Sequence, residues 1–127
     1  MFPITRLRRL RLSNPLRQMT AETRLHPKHF IMPLFVHEGS RAKVPIGSMP
    51  GIFRFSLGAA VKEAREIYGL GIPAILLFGI PSSKDERGSS AFAAEGIIQK
   101  TARAIKKALP DLVVIADTCL CEYTSHG

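Results

Sequence analysis

Two cysteines in 127 residues exclude a disulfide-stapled mini-protein. No apolar run approaches the ~18 residues of a membrane-spanning helix, so no membrane partner is expected. The first 30 residues lack the uninterrupted apolar stretch of roughly 7–15 residues that a secretory signal needs. Their Arg-rich, acid-poor character fits a transit peptide loosely. Pro3 and Pro15, however, would break an amphipathic helix there, and serine is scarce. A cytoplasmic setting is therefore expected, with a plastid as the alternative for a photosynthetic eukaryotic source. The phosphate-binding patterns G-x-G-x-x-G and G-x-x-x-x-G-K-[ST] are absent. So are the zinc-protease pattern H-E-x-x-H and the nucleophile elbow G-x-S-x-G. There is no fixed-period repeat and no low-complexity tract.

What is present is ordinary for a globular protein: 46% hydrophobic and 22% charged residues. The exception is a net charge of +8. Residues 1–28 hold seven basic residues (Arg6, Arg8, Arg9, Arg11, Arg17, Arg24, Lys28) against Glu22, a balance of +6, which leaves +2 for the rest. This is a basic arm on a nearly neutral body. Its arginines could track nucleic-acid phosphates. Its interleaved Ile4, Leu7, Leu10, Leu12 and Leu16 suit a neighbouring subunit equally well. A solvated tail is the third reading.

Residues 1–18 read as extended, and Thr20 to His29 as room for one helical turn. FIMPLFVHEG (30–39) is a buried-strand run in which Pro33 marks a bulge or an unpaired edge. Gly39 to Gly51 reads as a short hairpin or an irregular loop. Leu57, Ala60, Val61, Ala64, Ile67 and Tyr68 fall on one helical face, with Ser56 as N-cap and Gly69 or Gly71 as stop. PAILLFGIP (73–81) is charge-free, as suits a strand covered on both faces. SSKDERGSS (82–90) reads as a polar loop. A second helix carries Ala94, Ile97, Ile98, Thr101, Ile105, Ala108 and Leu109 on one stripe and ends at Pro110. LVVIA (112–116) reads as another fully buried strand, running on towards Leu120. The order β-α-β-α-β predicts an α/β fold with a parallel sheet. Three parallel strands with two helices leave apolar edges unpaired. The pattern therefore reads as part of a larger fold.

The richest segment is DTCLCEYTSHG (117–127). Asp117 stands at the carboxyl end of a parallel strand, where α/β folds collect ligands and catalytic groups. It reads equally well as a loop-starting cap. Cys119 and Cys121 would share one side of a continuing strand and could hold one metal ion, with Glu122 and His126 nearby. Two buried, reduced thiols are the blander alternative, favoured on a C-x-C pair alone. A redox or metal-handling domain would instead need Cys119 exposed with a depressed pKa.

DTCLCEYTSHG closely resembles the metal-site segment of the porphobilinogen synthase (δ-aminolevulinic acid dehydratase) family. RLRRLRLSNPLRQM resembles that family's N-terminal arm. IMPLFVHEG, SMPGIFRFS and FGIPSSKDERGSSAF resemble its first strand, the following turn, and its second strand with loop. The resemblance is collinear and runs essentially end to end. It implies the N-terminal part of a (β/α)8 TIM barrel, with an arm at 1–28 and the first β/α units at 29–127. It implies condensation of two 5-aminolevulinate molecules to porphobilinogen, on the route to haem and chlorophyll. It implies Zn2+ held by Cys119, Cys121 and a third cysteine just beyond residue 127, with Mg2+ a candidate elsewhere in the full enzyme. It implies that Asp117 lines the active site, and that the Schiff-base lysines lie beyond the chain end. The arm then reads as a handle within an octamer-like homo-oligomer, ahead of the competing reading as a small basic nucleic-acid-binding module. On this view the chain by itself makes no porphobilinogen, and it binds zinc more weakly than a closed three-thiolate site.

Overall fold

The computed structural model describes residues 3–127. The first two positions of the expected arm, Met1 and Phe2, lie outside the described residues. Two long hydrophobic strands form the centre. Strand β1 (Ile31–His37) pairs in parallel with β4 (Ala74–Ile80) over its whole length, from Ile31 opposite Ala74 to His37 opposite Ile80. Strand β5 (Val113–Ala116) continues the parallel sheet beyond β4. On the other side, β3 (Phe53–Phe55) pairs with β1 only at Phe35 and Val36. Pro33 therefore lies where that side of β1 is open, as its missing donor requires. Strand β2 (Lys43–Pro45) is antiparallel to β3, so the Gly39–Gly51 excursion carries the first arm of a hairpin. The sheet order is β2-β3-β1-β4-β5.

Two amphipathic helices cover one face of this sheet. Helix α2 (Leu57–Gly69) buries Ala60, Ala64 and Ile67, and its small residues let it lie close to its neighbours. It ends where Gly71 takes φ +83°, a left-handed conformation that glycine adopts without strain. Helix α4 (Ile97–Ala108) buries Ile97, Ile98, Thr101 and Ile105. Together they cover Leu34, Val36, Ile75, Leu77 and Leu112, the centre of the core. Each fully buried Leu or Ile side chain contributes about 1.5–3 kcal/mol relative to exposure. Gly79 lies beneath this layer. A Cβ there would overlap the Tyr123 hydroxyl and come within 2.6 Å of Ile98 Cγ1. Its lack of a side chain lets α4 and Tyr123 settle on β4.

Three expectations are corrected. The arm is not extended throughout. It has a 3-10 turn at Arg9–Arg11 and helix α1 (Asn14–Met19). Ser13 Oγ caps α1 by accepting from Leu16 N, and Pro15 sits in its first turn, where no donor is needed. Pro15 thus opens a helix instead of breaking one. Strand β5 is not fully buried: Val113 is 52% exposed and Ile115 36%. It is the edge strand, and one of its faces has no covering layer. It also ends at Ala116, short of Leu120. Finally, Tyr68 on the α2 stripe is 40% exposed, beyond the reach of the sheet. Among the described residues no helix is long and apolar enough to cross a membrane.

Candidate functional site

In a parallel sheet the carboxyl ends of all strands lie on one rim, so the segments that follow them become neighbours. After β1 comes Glu38. Its carboxylate accepts from Ser82 N at 2.9 Å and Ser82 Oγ at 2.6 Å, joining the ends of β1 and β4. The Ser82 hydroxyl and amide together hold the Glu38 carboxyl below its ordinary range. After β4 the loop runs through Lys84 and Asp85 to the short helix α3 (Ser89–Phe92). After β5 comes Asp117, whose amide still donates to Leu77 O at 3.1 Å.

Asp117 acts first as a local cap, its Oδ1 accepting from Cys119 N at 3.3 Å. The chain then turns sharply, with Tyr123 N and Thr124 N both donating to Leu120 O at 2.9 Å. This turn brings Cys119 Sγ and Cys121 Sγ to 2.7 Å. The expected convergence of the two sulfurs is thus present, but a turn produces it and not a continuing strand. Both cysteines are free and exposed, which overturns the reading of two buried thiols. Gly127 folds back against Cys121. A Cβ at that position would come within 2.7 Å of Cys121 Cα.

The surroundings favour the protonated form of the Cys121 thiol. The Cys121 thiol is pushed up by its hydrogen bond with Cys119 first, then by desolvation and the nearby Cys119 and Glu122 charges; Lys84 opposes them. Glu122 is also raised, by desolvation first and by Asp117 second, again against Lys84. Its Oε2 is buried with no hydrogen-bond partner. Thiolates are the donors zinc takes, and the two sulfurs stand close enough for one ion to reach both. The pair fits the first two positions of such a site. Among the described residues no group of three or more His, Cys, Asp and Glu could hold a metal ion, so Glu122 and His126 do not complete the set. Beside the loop lies a cleft of about 400 Å³, lined by Phe92, Ile98, Ala102, Ala116, Cys119 and Tyr123 among others.

Lys84 and Asp85 were not anticipated. Lys84 Nζ donates to Cys121 O at 3.1 Å. Asp85 N donates to Tyr123 O at 3.3 Å, and Ser125 N donates to Asp85 O at 3.0 Å. A signal for them existed in the sequence. A polar loop directly after a charge-free strand must occupy the same rim as Asp117.

Comparison with known proteins bears on all of these positions. A sequence profile of the delta-aminolevulinic acid dehydratase family matches residues 4–127. The delta-aminolevulinic acid dehydratase of Synechococcus elongatus is 52% identical over 127 residues, covering 100% of this chain and 39% of the relative. That of Archaeoglobus fulgidus is 51% identical over 126 residues, 99% of this chain and 39% of the relative. A crystal structure of the Toxoplasma gondii ME49 enzyme in complex with the reaction product porphobilinogen superposes with a TM-score of 0.88 at 35% identity. The match covers 95% of this chain and 35% of that one. The chain thus spans about two fifths of the length of the relatives it matches.

Proposed function

This chain belongs to the delta-aminolevulinic acid dehydratase family, and from that premise we propose that it forms the N-terminal part of a porphobilinogen synthase. Such an enzyme is a lyase that condenses two molecules of 5-aminolevulinate to porphobilinogen. The observation that carries the reading is the rim at the carboxyl ends of β4 and β5. There Asp117, Cys119 and Cys121 meet, with the two sulfurs 2.7 Å apart. In a (β/α)8 barrel this end of the strands is where the chemistry is done.

Cys119 and Cys121 would hold the metal, with Zn2+ the ion their sulfurs favour. When bound, zinc supplies a Lewis acid that polarises a substrate oxygen. The chain's own residues do the rest of the positioning. Asp117 holds the Cys119 amide and presents a carboxylate to the rim. The Glu38–Ser82 contact keeps the ends of β1 and β4 in register beside it. Residues 1–28 form the arm and 29–127 the first barrel units. The arm's exposed Ile4, Leu7, Leu12 and Leu25 favour burial against a sister subunit in a homo-oligomer. A cytoplasmic setting goes with this reading, in keeping with the bacterial and archaeal relatives.

The test is complementation. The 127-residue chain by itself is expected to form no porphobilinogen. A chimera joining it to the remaining part of the Synechococcus elongatus relative is expected to form it. Cys119→Ser or Asp117→Ala in that chimera is expected to lower turnover by at least about tenfold. A folded chimera that stays inactive beside an active relative overturns the proposal.

A further inference from the structure

The cysteine loop leaves the sheet at an exposed edge strand, and past Ala116 no regular ladder holds it. The Leu120 turn that brings the two sulfurs together is thus left to its own local hydrogen bonds and to whatever braces it from outside. Three hydrogen bonds cross to it from the loop after β4, and all three come from Lys84 and Asp85. Asp85 uses both its peptide groups, accepting from Ser125 N and donating to Tyr123 O, and so makes an isolated parallel bridge with Thr124. Its side chain fixes its own peptide in turn. Asp85 Oδ1 accepts from Arg87 N at 2.9 Å and from Ser89 N at 3.0 Å. The two loops are packed tightly enough that a Cβ on Gly88 would stand 3.2 Å from Thr124 Cγ2. Lys84 completes the brace at the cysteines themselves. Its ammonium bonds the carbonyl of Cys121, and the orientation of that peptide helps set where the Cys121 side chain points.

We propose that Lys84 and Asp85 are positioning residues that clasp the cysteine loop and hold Cys119 Sγ and Cys121 Sγ together, whether or not a metal is bound. An exposed lysine contact ordinarily contributes little to stability. Here its effect is geometric, and it acts on the spacing of two thiols. Asp85 anchors the strand-like part of the loop, and Lys84 sets the cysteine turn. The proposal rests on the metal role of the cysteines for only one of its two readouts.

The first readout is metal-independent. Phenylarsine oxide binds across two close thiols with release of water, and its capture reports their convergence. The second is the thiolate-to-cobalt charge-transfer band and the apparent Co2+ affinity. Both are measured on the 127-residue chain, with far-UV circular dichroism and the urea midpoint as checks on folding. Lys84→Met is expected to slow capture and to weaken Co2+ binding by about tenfold or more, the usual effect of removing a residue that orients a ligand. Lys84→Arg, which keeps a long cationic donor, is expected to retain most of both. Lys62→Met, on the exposed face of α2, is expected to change neither. Should Lys84→Met fail to fold, Lys84→Gln takes its place, since its donor is too short to reach Cys121. A folded Lys84 variant with wild-type capture and wild-type cobalt binding overturns the clasp. So does a wild-type chain that captures no arsenical. Lys84-dependent capture without any cobalt band supports the clasp and counts instead against the metal role.

Discussion

The two faces of the central sheet are similar in composition and opposite in environment. On one, Leu34, Val36, Ile75 and Leu77 are buried beneath α2 and α4. On the other, Phe35 stacks on Phe78 with ring centroids 5.2 Å apart, flanked by Ile31 at 52% exposure and Ile115 at 36%. A one-layer antiparallel sheet would alternate apolar with polar residues; these strands do not. The second face is built to be covered. In a (β/α)8 barrel the helices lie outside and the other strand face lines the packed interior. The bare face is thus the interior surface of the barrel to which this family's fold assigns the chain. An apolar pattern shows that a strand surface is meant for burial, but not which partner buries it.

The largest test of this contrast compares neighbours on one strand. Leu77→Ala removes a fully buried side chain and is expected to destabilise the 127-residue chain by about 2–5 kcal/mol in urea unfolding. Phe78→Ala, one residue on, is expected to cost under about 1.5 kcal/mol, the scale of an aromatic pair. In the chimera with a relative's remaining segment, the cost of Phe78→Ala should rise towards that of Leu77→Ala. Equal costs in the short chain would mean that something already covers the second face.

A smaller effect is expected at Gly79. An alanine there must displace Tyr123 and Ile98, and overpacking of this kind costs about 1–3 kcal/mol. Because Tyr123 belongs to the cysteine loop, Gly79→Ala should also slow arsenical capture. Destabilisation without any change in capture would separate the covered face from the rim.

How much of this was legible in the sequence depended on element length and on neighbours. β1, α2, β4 and α4 are long enough for their periods to be read, and their boundaries agree with the structure within a few residues. β2 and β3 have three residues each, too few to show alternation, and β3 was missed. The exposure of β5 was not legible because burial depends on what lies across from a strand. Pro15 misled because a proline breaks a helix interior but suits its first turn. At the candidate site, Asp117, Cys119 and Cys121 were legible as candidates, and the structure brings the three to one rim. The turn that joins the sulfurs was not, because it is an irregular local turn closed on Leu120 O where a continuing strand was expected; nor was the clasp from Lys84 and Asp85, which depends on tertiary hydrogen bonds such as that of Lys84 to Cys121, 37 residues away in sequence.

The smallest expected effect lies at the rim, where pH enters. Glu38 accepts two hydrogen bonds from Ser82, and its folded pKa is lowered, chiefly by the Ser82 hydroxyl. A group whose pKa is depressed by folding stabilises the fold above its unfolded value, about 4.3 for glutamate, and that contribution is lost as pH falls through the folded value. Ser82→Ala removes the hydroxyl but keeps the amide donor, so Glu38 should move part of the way back. The stability difference between wild type and Ser82→Ala is then expected to be constant near neutral pH and to narrow as pH falls below the ordinary carboxylate range. Glu38 is largely in contact with water, so screening keeps the difference small. Urea midpoints measured from pH 7 down to pH 3 check the sign. A difference that widens in acid would mean that protonated Glu38 makes the stronger contact, and that the ends of β1 and β4 are joined by something other than a carboxylate.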